Sequence, residues 1–205
     1  MRTSIRQAHP EDADAVGGAL AEAFVDYVWT SWALGETHRL ERLCALYRVH
    51  AGLASAEAGT TWLAEDAGVV VAAAAWVRPD APPPSASTAA LLEWEVPRLL
   101  GDRTAALAAA EAASDGLLPD GPAWFLACVG TRPAWRGRGI GGALVEAGLR
   151  AVDAHGHPAG LETSSEENVR LYRRLGFAVV AELDPPGGAP HVWVMHRPAR
   201  TGAPR

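Results

Sequence analysis

Four glycines, Gly137, Gly139, Gly141 and Gly142, crowd into six residues ahead of an apolar helical pattern, with Arg136 and Arg138 among them. A backbone this bare can close on a ligand through its N–H groups, and the helix start behind it adds about half a positive charge. A pyrophosphate suits such a corner. Two spellings share these residues: Gly137-x-Gly139-x-x-Gly142, the pattern of dinucleotide-binding turns, and Arg136-x-x-Gly139-x-Gly141. The first even has an acid where a ribose would need it, since Glu162 lies 20 residues after Gly142. A ligand-free turn is the third reading, but four glycines cost conformational entropy unless something uses the bare backbone.

Composition narrows the chemistry. The chain has 205 residues, 49% hydrophobic and 20% charged, enough for one domain with a well-buried core. We expect residues 1–198 to form that domain and residues 199–205 a flexible C-terminal tail. The net charge of -6 argues against a nucleic-acid partner. No apolar run reaches the length of a membrane span, and the segment from Met1 to Ala8 has no signal-peptide core, so no membrane partner and a cytoplasmic location are expected. All 18 basic residues are Arg, which removes Schiff-base lysines and P-loop lysines from consideration. Two cysteines, Cys44 and Cys128, make neither a disulfide framework nor a zinc site, and no metal is expected.

Periodicity supplies the elements that must hold the glycine corner. Residues 3–8 alternate weakly, as a first strand. Pro10, Glu11 and Asp12 carry a helix-start signal, and Val16, Leu20 and Phe24 follow at helical spacing. A second helix is expected over about 36–58. Residues 60–64 and 69–77 read as a hairpin turning at Glu65 to Gly68. Residues 87–115 read as helical, broken near Pro97 and Gly101. Strands are expected over 124–129 and 159–162, with the glycine segment opening a helix to about His155 between them. A helix over 164–175, ended by Gly176, precedes strands over 177–182 and 192–196. Strands and helices are mixed, with antiparallel pairs at both ends of the chain, which predicts an α+β sheet rather than a doubly wound one.

Position argues against the dinucleotide turn. A strand should run almost directly into its first glycine, whereas residues 131–136 intervene after Val129. The surroundings decide. Trp135 to Leu144 resembles the acetyl-CoA signature of the GCN5-related N-acetyltransferases (GNAT), Arg/Gln-x-x-Gly-x-Gly/Ala, and Leu171-Tyr172-Arg173-Arg174-Leu175-Gly176-Phe177 resembles that superfamily's Leu-Tyr-x-x-x-Gly-Phe segment. Stretches 122–130, Leu161 to Ser164 with Asn168, and 193–198 are similar to the branch that acetylates the aminonucleoside antibiotic puromycin, as are 23–27 and 61–66. The resemblance implies the GNAT fold: a mixed, mostly antiparallel central sheet flanked by helices, with a V-shaped opening between two central parallel strands.

It also implies a site. Acetyl-CoA would lie in the opening, its acetyl carbonyl and pantetheine arm on backbone groups of Val129, Gly130 and Thr131. Its pyrophosphate would sit on main-chain N–H groups from Gly137 through Gly139, Ile140 and Gly141 to Gly142. Arg136 and Arg138 would add positive charge, or would simply be solvated. Tyr172 would be the general acid, a phenol protonated at neutral pH that can donate to a departing thiolate. Glu162 is the candidate base, or else a structural carboxylate, because an alternating strand exposes it to either face. Asn168 stands four residues before Tyr172 rather than seven, and either binds pantetheine or is a polar first-turn residue of its helix.

The acceptor pocket should come from the first half of the chain. Tyr27, Trp29, Trp32 and Trp94 are candidates to stack on an aromatic acceptor, with Glu93 or Glu95 to attract a cation. A small molecule with an α-amine fits an undemanding base, since neutralising it costs about 1 kcal/mol against about 4–5 kcal/mol for a lysine. A protein or peptide N-terminus is the rival acceptor, and an acyl-CoA sensor without catalysis the rival function. Monomer and homodimer are both compatible with the sequence.

Overall fold

The computed structural model describes residues 3–200, so that residues 201–205 of the expected tail lie outside the described residues. Strands Ser4–Gln7 (β1), Thr61–Asp66 (β2), Val69–Val77 (β3), Trp124–Thr131 (β4), Ala159–Thr163 (β5), Ala178–Leu183 (β6) and Val192–Arg197 (β7) form one sheet. Their order is β1-β2-β3-β4-β5-β7-β6. Every neighbouring pair is antiparallel except β4 and β5. This is the expected α+β sheet with the GNAT strand arrangement.

Helices Ala13–Phe24 (α1), Val28–Leu34 (α2), Arg39–Tyr47 (α3) and Ser55–Glu57 (α4) precede the β2–β3 hairpin. The expected helix over 36–58 is present as one unbroken helical run from Arg39 to Glu57, made of α3, a widened π-helical stretch Arg48–Ala54, and α4. Helix α2 was not foreseen; at seven residues it is too short for periodicity to mark. Ala86–Leu100 (α5) and Thr104–Glu111 (α6) follow, and α5 runs through Pro97 to break only at Gly101. Ile140–His155 (α7) and Glu166–Arg174 (α8) flank β5.

Alternation along β3 divides the core. Ala72, Ala74 and Trp76 join Leu144, Val145 and Val152 of α7 on one face. Ala73 and Ala75 join Val16, Ala19 and Leu20 of α1 on the other. Period-two strands buried on both faces read as continuous apolar runs, as β3 does. The sheet is thus clamped between two helices directly beside β4, whose far end carries the glycine corner.

Candidate active site

The opening comes from two irregularities of β4. The β3–β4 register pairs Ala75 with Cys128 and Trp76 with Leu126, leaving Ala127 as an extra residue in a bulge. The β4–β5 register runs from Trp124 with Ala159 to Leu126 with Leu161 and stops there. Beyond it Glu162 and Thr163 pair only with β7. The β5-facing side of β4 is therefore unpaired from Ala127 onward, and two cavities fill the gap.

The first, about 470 Å³, is the coenzyme-side groove, lined by Val129, Gly130, Thr131, Arg136, Gly137, Gly139, Ile140, Gly141 and Gly142, with Asn168, Leu171 and Tyr172 opposite. Gly139 has φ 75° as N-cap of α7, and no side chain caps the helix. The left-handed conformation there excludes most other residues, and the first-turn N–H groups of α7 face the groove with no side-chain acceptor of their own. Gly130 is demanded by packing: a Cβ would meet Ala23 Cβ at 2.8 Å and a Phe24 ring carbon at 2.9 Å, so α1 rests directly on β4. Arg136 donates to the carbonyls of Ala23 (2.8 Å) and Thr131 (3.3 Å), tying the corner to α1. Arg138 donates to the Ala134 carbonyl at 3.1 Å and is not among the lining residues. Trp135 holds the hairpin through an indole N–H to Asp66 at 3.1 Å.

The second cavity, about 380 Å³, shares Phe24, Tyr27, Val129, Asn168 and Tyr172 with the first, so the two meet there. Trp29, Tyr47, Phe125 and Leu118 supply apolar walls, and Glu111, Asp115 and Glu162 supply carboxylates. Tyr27 bridges the throat: the Ser164 N–H donates to its hydroxyl at 2.7 Å, and the hydroxyl lies 3.3 Å from Thr163 Oγ1. Thr163 Oγ1 also accepts from Asn168 Nδ2 at 3.2 Å. Ser165, not Asn168, is the N-cap of α8.

Tyr172 is 6% exposed, and its hydroxyl has no hydrogen-bond partner among the described residues. Burial, then the neighbouring Tyr27 and Cys128, push its phenol well up, so it stays protonated through the neutral range. Burial pushes the Cys128 thiol up to about 12, which keeps it a thiol and no nucleophile. The Glu162 carboxyl is raised by desolvation first and by Asp115 next, against a lowering from Ser114.

Of the expected acceptor residues, Tyr27 and Trp29 line the second cavity. Glu93 and Trp94 do not: they lie on the outer face of α5, Trp94 70% exposed. Glu95 is likewise absent from the lining, and Trp32 instead donates to the Gly187 carbonyl at 3.1 Å beneath the Arg103 guanidinium. The sequence reading missed Tyr47, Glu111, Asp115, Phe125 and Thr163. Nothing in their local spacing marks them, because separate elements deliver them.

The Acetyltransferase (GNAT) family pattern matches residues 21–177. The chain belongs to that family. Its members use acetyl-CoA as acetyl donor, so an acetyltransferase is now the frame for both cavities. The chain is similar over its whole length to a Corynebacterium glutamicum structure described as histone acetyltransferase HPA2 and related acetyltransferase (24% identity, all of both chains, TM-score 0.75). It is also similar to a Drosophila melanogaster polyamine N-acetyltransferase (20% identity, 95% of this chain and 99% of that one, TM-score 0.59). At these identities the likeness carries the fold alone. A stretch of 93 residues, 44% of the chain, is 38% identical to a mycothiol acetyltransferase of Nocardiopsis dassonvillei and spans only 25% of that protein. No helix among the described residues is long and apolar enough to cross a membrane.

Proposed function

We propose that the chain transfers an acetyl group from acetyl-CoA to the amine of a small molecule by direct attack within a ternary complex. The observation carrying this is the junction of the two cavities at Tyr172, a largely buried side chain whose hydroxyl has no hydrogen-bond partner among the described residues. Bound acetyl-CoA supplies a thioester open to attack by an amine, with a thiol as leaving group. The α7 N-terminus would hold its pyrophosphate, and main-chain groups of Val129, Gly130 and Thr131 its carbonyl and arm. Glu162 would take the proton lost by the amine nitrogen, directly or through water; its raised pKa makes it a stronger base than an ordinary carboxylate. Tyr172 would give its proton to the sulfur as the carbon–sulfur bond breaks. A phenol held above its usual value is a weak acid, but a thiolate in the same dry throat is raised too, as neighbouring Cys128 shows.

The motif resemblance makes puromycin or a related aminonucleoside antibiotic the first acceptor to try. The cavity, about 380 Å³, matches small-molecule sites in scale, which favours this class over a protein N-terminus. Thiol release from acetyl-CoA over a panel of small amines, puromycin and short peptides tests the proposal. Release with small amines and not with peptides is expected. Tight acetyl-CoA binding with no release over the whole panel would make the protein a non-catalytic sensor.

A further inference from the structure

Phe24, Tyr27, Val129, Asn168 and Tyr172 line both cavities, and of these Tyr27 and Tyr172 carry hydroxyls. Acetyl transfer as described uses Tyr172 and leaves Tyr27 without a task. Yet Tyr27 is the more firmly held. As N-cap of α2 it donates its N–H to the Phe24 carbonyl at 3.0 Å. Its own carbonyl accepts from Thr30 Oγ1 at 2.9 Å and from the Ser31 N–H at 2.9 Å. Its ring meets the Phe24 ring edge to face, with centroids 5.5 Å apart.

The hydroxyl protons here have one consistent arrangement. A hydroxyl oxygen has two acceptor lone pairs and one proton to donate. Thr163, 5% exposed, accepts at Oγ1 from the Ser165 N–H at 3.3 Å and from Asn168 Nδ2 at 3.2 Å, which fills it. It cannot also accept from Tyr27, so in the 3.3 Å contact between the two hydroxyls Thr163 is the donor. The Tyr27 oxygen then accepts from Thr163 and from the Ser164 N–H at 2.7 Å, and is filled in turn. Its own proton has no acceptor among the described residues. The proton is left for whatever occupies the throat, close enough to Tyr172 that Tyr27 helps to raise that phenol.

Acetyl transfer puts three polar atoms in that throat: the amine nitrogen, the thioester oxygen and the sulfur. A donor on the nitrogen would tie up the lone pair that attacks. The sulfur takes the Tyr172 proton. The oxygen remains, and it is where charge develops. As nitrogen bonds to the carbonyl carbon, the C=O π pair moves onto oxygen; it returns when the carbon–sulfur bond breaks, while Glu162 holds the proton lost by nitrogen. A rigid donor aimed at that oxygen needs no reorganisation during the reaction. We infer that Tyr27 is a catalytic residue whose hydroxyl donates to the acetyl oxygen, with Thr163 and Asn168 as positioning residues that turn its proton there. This deepens, and rests on, the acetyl-transfer reading of the site.

Tyr27→Phe keeps the ring and removes the donor. Its kcat for thiol release should fall about 10²-fold, the usual loss for one oxyanion donor, with acetyl-CoA affinity by calorimetry nearly unchanged. Infrared difference spectra of bound acetyl-CoA, isotope-labelled at the acetyl carbonyl and without acceptor, read the contact independently of turnover. The thioester C=O stretch should lie lower in the wild type than in Tyr27→Phe. An equal stretch in both proteins, or undiminished thiol release by the variant, overturns the inference, and acetyl transfer then rests on thiol release alone. A lower wild-type stretch with no thiol release from any amine supports the contact and overturns the transfer reading. Should Tyr27→Phe not fold, Thr163 decides. Thr163→Ser keeps the hydroxyl and should keep the rate and the stretch; Thr163→Val should lose part of each; identical behaviour of the two overturns the inference.

Discussion

The two halves of the opening are built on different principles. One wall of the coenzyme-side groove is main chain, made of glycines, a helix N-terminus and a strand whose β5-facing side is unpaired, while Asn168, Leu171 and Tyr172 stand opposite. The acceptor side is almost all side chain, gathered from α2, α3, α6, β4 and β5. Backbone recognition suits a ligand that never changes, because N–H groups cannot be substituted away. Side-chain recognition can be retuned one residue at a time. The two halves share a short boundary, and the candidate acid stands on it.

The sharpest test of that boundary is Tyr172→Phe, which keeps the ring and removes the proton. Turnover should fall by about 10²-fold or more, while acetyl-CoA affinity by calorimetry stays nearly constant; an equal loss of both would make Tyr172 a binding residue. Glu162→Gln should lower kcat by about tenfold. Glu162 must be ionised to accept a proton and its pKa is raised, so wild-type kcat should climb with pH through a value above the ordinary carboxylate range near 4.3. That rise should be missing from the variant's pH profile. Next in size, Gly139→Val forces a side chain into φ 75°, at a strain of about 1–2 kcal/mol, and should weaken acetyl-CoA several-fold without touching the acceptor KM. Smallest, and most direct for the acceptor side, Trp29→Ala should raise the acceptor KM a few-fold, while Trp94→Ala should leave both substrates' constants alone. An effect of Trp94→Ala as large as that of Trp29→Ala would contradict the cavity lining.

The same contrast explains what could be seen in advance. Gly139 was legible because a left-handed N-cap leaves so few residues to choose from, and the strand–corner–helix order around it followed from periodicity. Glu162 and Tyr172 were legible through motifs that sit on continuous elements. Glu93 and Trp94 misled because only packing decides which face of α5 turns inward, and that face turned out to be the other one. Glu111 and Asp115 could not have been found: they acquire meaning only when the end of α6 is brought over β5, a meeting of residues about fifty positions apart. Trp29 was guessed from its chemistry, while the short helix that presents it went unseen.

The early parting of β4 from β5 has a thermodynamic side as well. A seven-stranded open sheet normally has two free edges; this one has four, the additional pair facing each other inside the molecule. Free edges are templates for any extended chain carrying amides. Of the amides between Ala127 and Thr131, those on the β5-facing side should therefore exchange fast in the free protein and slow once such an arm docks, while those bonded to β3 stay protected, reporting occupancy even in variants that have lost all turnover.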